Sequence, residues 1–304
     1  MADIRIELLG MKLRNPTILA SGIVGSTKAS VAFAAANGAG AVTIKSVTRD
    51  RRDGFANPTI ITFEAGMLNA VGYSNPGAKQ AAMEFADLSD IPVPVIGSLT
   101  GTKTEDFVYV MQQLKGCPFA AIEMPLSCPH TPGFGTMAGQ HSPEATKEIT
   151  KAVVKETKLP VIVKLSPVIQ EIADVAKAAE KAGAAAINMG NTAGPGMIIN
   201  TGLKKPVLSG TAGGISGPAL RPLAVRCVYD IYKAVKIPII GTGGVMTGND
   251  AIEMLMAGAQ AVGIGTAIHY RGIDVFNKVS KEIAQFMDQE GYRSIKEMVG
   301  AAHA

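Results

Sequence analysis

A cysteine standing where an apolar strand gives way to a proline-flanked loop is the group in this sequence best suited to reaction. The stretch Ile122-Glu123-Met124-Pro125-Leu126-Ser127-Cys128-Pro129-His130 reads as a buried strand that ends at that cysteine. Strand ends are where parallel α/β proteins present side chains to a ligand. A thiol there can take or give a proton at modest cost. A cysteine also serves as a small buried hydrophobe, and that plainer reading suffices for Cys117 and Cys227. Ser127, Pro129 and the glycine-rich loop that follows favour chemistry at Cys128. His130 and His141 lie on the same loop, where a lone histidine more often has a structural task.

Other strand ends carry single polar groups. Val161-Ile162-Val163-Lys164-Leu165 ends near a lysine, and Val42-Thr43-Ile44-Lys45-Ser46 repeats the pattern. A lysine at the end of an apolar strand must reach water or an anion. Its charge would suit a reduced flavin, which becomes anionic near one ring nitrogen. A lysine that snorkels to the surface is the alternative. A further strand ends at Gly97-Ser98. Asn191-Thr192 closes another, and Leu68-Asn69-Ala70-Val71-Gly72-Tyr73 forms a turn-rich stretch. An asparagine amide donates and accepts in one plane, as a cyclic imide or amide requires, although loop asparagines also serve turns. Gly241-Thr242-Gly243-Gly244 and Gly263-Ile264-Gly265-Thr266 end the last two strands, where backbone N–H groups commonly cradle phosphate. No G-x-G-x-x-G opens the first unit, which argues against a Rossmann dinucleotide site.

Positioning so many strand-end groups around one ligand takes a repeated unit. Apolar strand-like runs occur at 17–20, 41–44, 93–96, 120–124, 161–165, 185–189, 237–240 and 261–264. Helical periodicity fills intervals between them, at 144–157, 169–182, 219–235, 249–257 and 274–289. Eight such strands in a 304-residue chain predict a single-domain α/β protein, a (β/α)8 TIM barrel. A doubly wound sheet is the competing fold. Residues 4–13 read as a short N-terminal β-hairpin. Long active-site loops are expected over 47–75, 127–142 and 192–217, each following a strand.

The bulk composition agrees. The chain is 47% hydrophobic and 18% charged, which suits strands buried on both faces. A net charge of +4 without a basic run argues against nucleic acid. Three cysteines without a CxxC pair argue against a protein-held zinc or iron–sulfur site and fit a reducing cytoplasm. No signal-peptide pattern and no membrane-length apolar run is seen.

These motifs, in this order, closely resemble the class 1 dihydroorotate dehydrogenase family, including its dihydropyrimidine dehydrogenase relatives. The resemblance spans essentially the whole chain. It rests on Asn15-Pro16-Thr17-Ile18-Leu19-Ala20-Ser21-Gly22, Lys45-Ser46, Leu68-Asn69-Ala70-Val71-Gly72, Ser127-Cys128-Pro129 and Val163-Lys164-Leu165-Ser166-Pro167. Asn191-Thr192, Gly213-Gly214-Ile215-Ser216-Gly217-Pro218 and the two closing glycine motifs complete it. It implies an FMN enzyme in which hydride passes between a substrate ring carbon and flavin N5 while Cys128 acts as the base. FMN contacts are then expected from Ser21, Lys45, Ser46, Lys164, Gly217, Gly243, Gly244, Gly265 and Thr266. Substrate contacts are expected from Lys45, Asn69, Ala70, Val71, Gly72, Tyr73, Asn191 and Thr192.

A cysteine rather than a serine as base points to the cytosolic branch. Members of this character often pair with an FAD and iron–sulfur subunit linked to NAD, and a homodimeric core is expected. The simplest reaction is dihydroorotate to orotate. The sequence departs from the family where Pro125 and Ser98 stand in place of usual asparagines, and where His130 replaces the asparagine of orotate-forming members. An FMN ene-reductase or dehydrogenase for another dihydropyrimidine or cyclic unsaturated carbonyl is therefore the alternative. Two further readings remain: a tRNA dihydrouridine synthase, for which no RNA-binding module is evident, and a flavin-binding subunit with a degraded pocket.

Overall fold

Alternation along short apolar strands sorts their side chains between two environments. In the computed structural model, which describes residues 2–128 and 131–303 (Thr136 and Ala138 by backbone alone), eight such strands close on themselves. They are Thr17–Leu19, Ala41–Thr43, Val95–Ser98, Ala121–Pro125, Val161–Leu165, Ala186–Met189, Ile239–Thr242 and Ala261–Ile264. Each pairs in parallel with its sequence neighbour, and the eighth returns to the first through Val262 opposite Thr17. This is the (β/α)8 barrel that the sequence predicts.

The inward positions change character along the barrel axis. Ile18, Ala41, Ile96, Ala121, Ile162, Ala186, Ile240 and Ala261 form one buried cluster with Leu8, Met11 and Leu13. The latter three belong to the hairpin of Ile6–Leu8 and Met11–Leu13, which stoppers the N-terminal end of the barrel. Leu8 and Leu13 are almost fully buried, each worth roughly 1.5–3 kcal/mol of hydrophobic stabilisation. Two residues further along the strands the buried positions turn polar: Thr43, Ser98, Glu123, Lys164, Asn188 and Thr242. Outward positions such as Leu19, Val42, Ile122, Val163, Ile187 and Val262 join the larger core beneath the helices.

The helices begin on local signals. Ser142 caps Pro143–Glu156, its Oγ accepting from the Ala145 N–H at 3.2 Å, and the helix buries Thr146, Ile149, Thr150 and Val153 at three- and four-residue spacing. Thr247 and Asp250 form a reciprocal capping box at the start of Gly248–Met256. No helix among the described residues is long and apolar enough to cross a membrane.

Two of the intervals expected as loops are not merely loops. Ile60–Phe63 pairs with Gly66–Asn69, both after the second barrel strand; Gly66–Asn69 pairs in turn with Gly213–Ser216, and that with Ala193–Gly196, both after the sixth. The resulting four-stranded antiparallel sheet buries Leu68, Ala70 and Leu208 on one side. It is tied to the end of the eighth barrel strand, where Thr266 Oγ1 donates to Ser216 Oγ at 2.8 Å and Tyr270 OH donates to the Gly66 carbonyl at 2.8 Å. The third interval holds a short 3₁₀ turn, Gly135–Ala138, pinned by buried Gln140. The Gln140 Nε2 donates to the carbonyls of Gly101 and Thr102, while its Oε1 accepts from the Gly135 N–H.

Candidate active site

The polar layer of the barrel supports a cavity at the C-terminal ends of the strands, roofed in part by the four-stranded sheet. Strand ends contribute Ser21, Lys45, Ser46, Pro125, Cys128, Lys164 and Asn191, and the sheet contributes Met67, Asn69, Ser216 and Gly217. Val71, Gly72, Tyr73, Thr131 and Thr192 line it from adjoining loops, and Gly243, Gly244, Gly265 and Thr266 close the side formed by the last two strands. Residues drawn from positions 21 to 266 thus meet in one place.

Cys128 is buried, only 5% exposed, three residues beyond the fourth strand. Gly135, in left-handed conformation at φ 53°, folds back onto it so closely that a Cβ would collide with the Cys128 backbone. The Tyr73 hydroxyl lies against the thiol and against Thr100. Burial, then the sulfur's charge, pushes the Tyr73 phenol well above its ordinary pKa. Tyr73 itself holds φ 57°, uncommon for a bulky residue, and its ring packs 4.9 Å from that of Phe134. That conformation turns its side chain inward instead of leaving it on the loop surface.

Two lysines face the cavity, and burial treats them differently. Lys164 is 4% exposed and meets an acid beneath it: its Nζ lies 3.6 Å from Glu123 Oε1 and donates to Ser21 Oγ at 3.1 Å. Lys45 has no carboxylate partner among the described residues. Desolvation pulls its pKa down to about 8; Cys128 works against that fall and Lys164 adds to it. At pH 7 Lys45 is still mostly charged, so it brings positive charge to the cavity wall beside the Lys164–Glu123 ion pair.

The amides are held by the chain around them. Asn191 Nδ2 donates to Ser127 Oγ at 3.2 Å, its Oδ1 accepts from the Thr192 N–H at 2.8 Å, and Ser127 Oγ donates to the Lys164 carbonyl at 3.0 Å. Asn69 Nδ2 reaches across the added sheet to the Gly214 carbonyl at 3.2 Å. The hydroxyls of Thr131 and Thr192 are buried and lack a hydrogen-bond partner among the described residues. An unsatisfied buried hydroxyl costs about 1–3 kcal/mol, which a bound polar ligand would recover.

One residue expected at the substrate lies elsewhere. Ala70 does not line the cavity; it is fully buried under the added sheet with Leu68 and Leu208, and its N–H donates to the Thr59 carbonyl at 2.7 Å. Its neighbours Asn69 and Val71 face the ligand side because the strand alternates. Pro125 does line the cavity, opposite Lys164 in strand register, so its missing amide is missing at the site itself. Ser98 lies one layer deeper, exchanging a 2.9 Å hydrogen bond with Ser46. His141 lies away from the cavity lining, and Pro129 and His130 fall outside the described residues.

Sequence reasoning gives no role to Glu123 and Asn188, which connect beneath the cavity to Thr242, a lining residue. Ser21 Oγ donates to Glu123 Oε1 at 2.6 Å, Asn188 Nδ2 to Glu123 Oε2 at 2.6 Å, and Thr242 Oγ1 to Asn188 Oδ1 at 2.8 Å. The available signal was an acidic residue at an inward position of an otherwise apolar strand.

Comparisons with known proteins agree with this architecture. The family model described as dihydroorotate dehydrogenase matches residues 3–287. The chain is 44% identical to the "Dihydroorotate dehydrogenase B (NAD(+)), catalytic subunit" of Methanothermobacter thermautotrophicus, covering 98% of this chain and 97% of that protein. It is 42% identical to the protein of the same description from Pyrococcus abyssi, covering 98% and 99%. Among solved structures, that of DHODH in complex with ferulenol from Eimeria tenella superposes with a TM-score of 0.84 at 21% identity, covering 99% of this chain and 89% of that one, a likeness of fold. Barrel, added sheet and strand-end residues thus accompany a match along nearly the whole chain, which belongs to the dihydroorotate dehydrogenase family.

Proposed function

We propose that this chain, working as one domain, is an FMN-dependent oxidoreductase that converts dihydroorotate to orotate in pyrimidine biosynthesis, with Cys128 as its base. The observation that carries the reading is the convergence of a buried thiol, two lysines and two held asparagine amides on one cavity. The donor set fits a flavin and a planar ring. Buried Thr131 and Thr192 hydroxyls await partners, and Lys164 presents charge from the floor.

In this reading Lys45, Lys164, Ser21 and Ser46 hold the ring system of FMN, and Gly217, Gly243, Gly244, Gly265 and Thr266 hold its ribityl and phosphate end. Bound FMN supplies a two-electron acceptor for hydride. The rest of the chemistry belongs to side chains. Cys128 Sγ takes the proton from the ring carbon adjacent to the one that loses hydride, so a C–C single bond becomes double. Asn69 and Asn191 orient the ring through its amide edges, assisted by Thr192, Val71, Gly72 and Tyr73. The buried setting keeps water from competing for the proton.

The relatives' descriptions name a catalytic subunit and NAD(+). They support a further subunit that links the chain to NAD; in this reading that subunit carries FAD and an iron–sulfur centre, and the catalytic core is a cytoplasmic homodimer. Pro125 favours a second reading: the same chemistry on another dihydropyrimidine or cyclic unsaturated carbonyl, since proline cannot supply the amide expected at that position.

Anaerobic addition of dihydroorotate to the FMN-loaded protein tests the first reading, with bleaching of the flavin absorbance expected. Bound FMN that bleaches only with other ring compounds transfers the assignment to the second reading. A protein that takes up no FMN overturns both.

A further inference from the structure

Resting on the flavin reading above, we propose that Glu123 is a positioning residue that holds down the reduction potential of the bound cofactor through Lys164. Glu123 does not line the cavity; it stands one inward layer below, 2% exposed. Its carboxylate is held from both sides. Oε1 accepts from Ser21 Oγ at 2.6 Å and faces Lys164 Nζ at 3.6 Å, while Oε2 accepts from Asn188 Nδ2 at 2.6 Å. Asn188 is in turn oriented by Thr242 at 2.8 Å. Four barrel strands and the segment after the first thereby fix one negative charge directly beneath one positive charge.

Stability does not account for this arrangement. A buried ion pair is often no better than well-packed apolar groups of the same volume. The layer immediately below, with Ala121, Ile162 and Ala186 on the same strands, is apolar and buried. The acid therefore sits at the one level where it can touch a cavity-lining cation. The ammonium has three donors. Ser21 takes one, and Glu123 draws the charge toward the floor, leaving the remaining donors for the cavity.

The electrostatic consequence has a definite sign. The Glu123 carboxylate draws the Lys164 ammonium toward the floor and offsets its field at the ligand; without the carboxylate that ammonium would face the ligand uncompensated. A cofactor that gains negative charge on reduction is stabilised by each uncompensated cation, more strongly in a buried site than in water. Glu123 thus limits how tightly electrons are held and keeps them transferable to the next acceptor.

The test measures the midpoint potential of bound FMN by equilibration with reference dyes during slow enzymatic reduction, a readout independent of substrate turnover. Glu123→Gln should shift the potential positive, and Glu123→Asp, which retains but withdraws the charge, should fall between it and the wild type. In a Lys164→Met background the Gln substitution should shift the potential much less. A wild-type potential in Glu123→Gln overturns the proposal, as does an equal shift with and without Lys164. If the Gln variant does not fold, Glu123→Asp decides: a potential unchanged from wild type overturns it. A wild-type protein that binds no FMN refutes the flavin reading itself and is seen before any variant is made.

Discussion

Gly135 lies directly against the backbone of Cys128, and no side chain fits between them. The loop that follows the fourth strand therefore packs its 3₁₀ turn onto the very residue that carries the thiol. Gly135→Ala combines a steric clash with a left-handed φ of 53°. It should displace Cys128 and slow dihydroorotate-driven flavin reduction on the order of a hundredfold, because an error of about 1 Å at a reacting group costs that much. FMN should stay bound, since the glycines of the last two strands lie elsewhere. Stopped-flow absorbance reads both quantities.

Cys128→Ser should lower the rate of flavin reduction by roughly 10²–10⁴-fold, the usual worth of a positioned base, with the flavin spectrum intact. Equal loss of flavin and rate would instead assign the thiol a structural task.

Tyr73 is held protonated by burial and by the neighbouring sulfur, so its hydroxyl can donate to Cys128 across the accessible pH range. Tyr73→Phe removes that donor and keeps the ring packed on Phe134. The reduction rate should fall, and its rise with pH should move to higher pH. An unchanged profile would show that the hydroxyl plays no part in the proton transfer.

Lys45 titrates near pH 8 because burial disfavours its charge. An anionic ligand favours the charged form and so raises that value in the complex. Affinity for orotate is then fully present below about pH 8 in the free protein and weakens as pH rises through it. Calorimetric titration at several pH values should show this fall in the wild type, and Lys45→Met should bind weakly with a flat profile over the same range.

Pro125 lies opposite Lys164 and lines the cavity. Pro125→Asn restores an amide there. If the natural substrate is dihydroorotate, the variant should bind orotate at least as well; if it is another ring, preference should swing toward orotate by about 10² or more, as expected when a buried site gains a matched hydrogen bond. Competitive displacement by orotate and uracil measures the ratio.

The barrel was legible because its strands are continuous apolar runs with polar ends, a pattern set by burial on both faces. Asn191, Lys164 and Cys128 were legible for the same reason, as polar residues at the ends of such runs. The added sheet was not. Ala193-Gly194-Pro195-Gly196 lies in the expected 192–217 loop, and it becomes a strand only because Gly213–Ser216 lies beside it and pairs in turn with Gly66–Asn69, far away in sequence. No local signal reports such a pairing. Ala70 falls outside the cavity lining because a motif names consecutive residues while a strand sends alternate ones to opposite faces. Glu123 was visible but unexplained, since its partners Ser21, Asn188 and Lys164 come together only when the barrel closes.

The stopper formed by Leu8, Met11 and Leu13 has a bearing on how this protein is handled. Trimming the leading residues, or letting a bulky fusion pry the hairpin loose, would bare the apolar side chains of Ile18, Ile96, Ile162 and Ile240 that it covers. Those side chains would then be the last barrier between solvent and the Glu123 carboxylate, so an intact leading segment matters to a site at the opposite end of the cylinder.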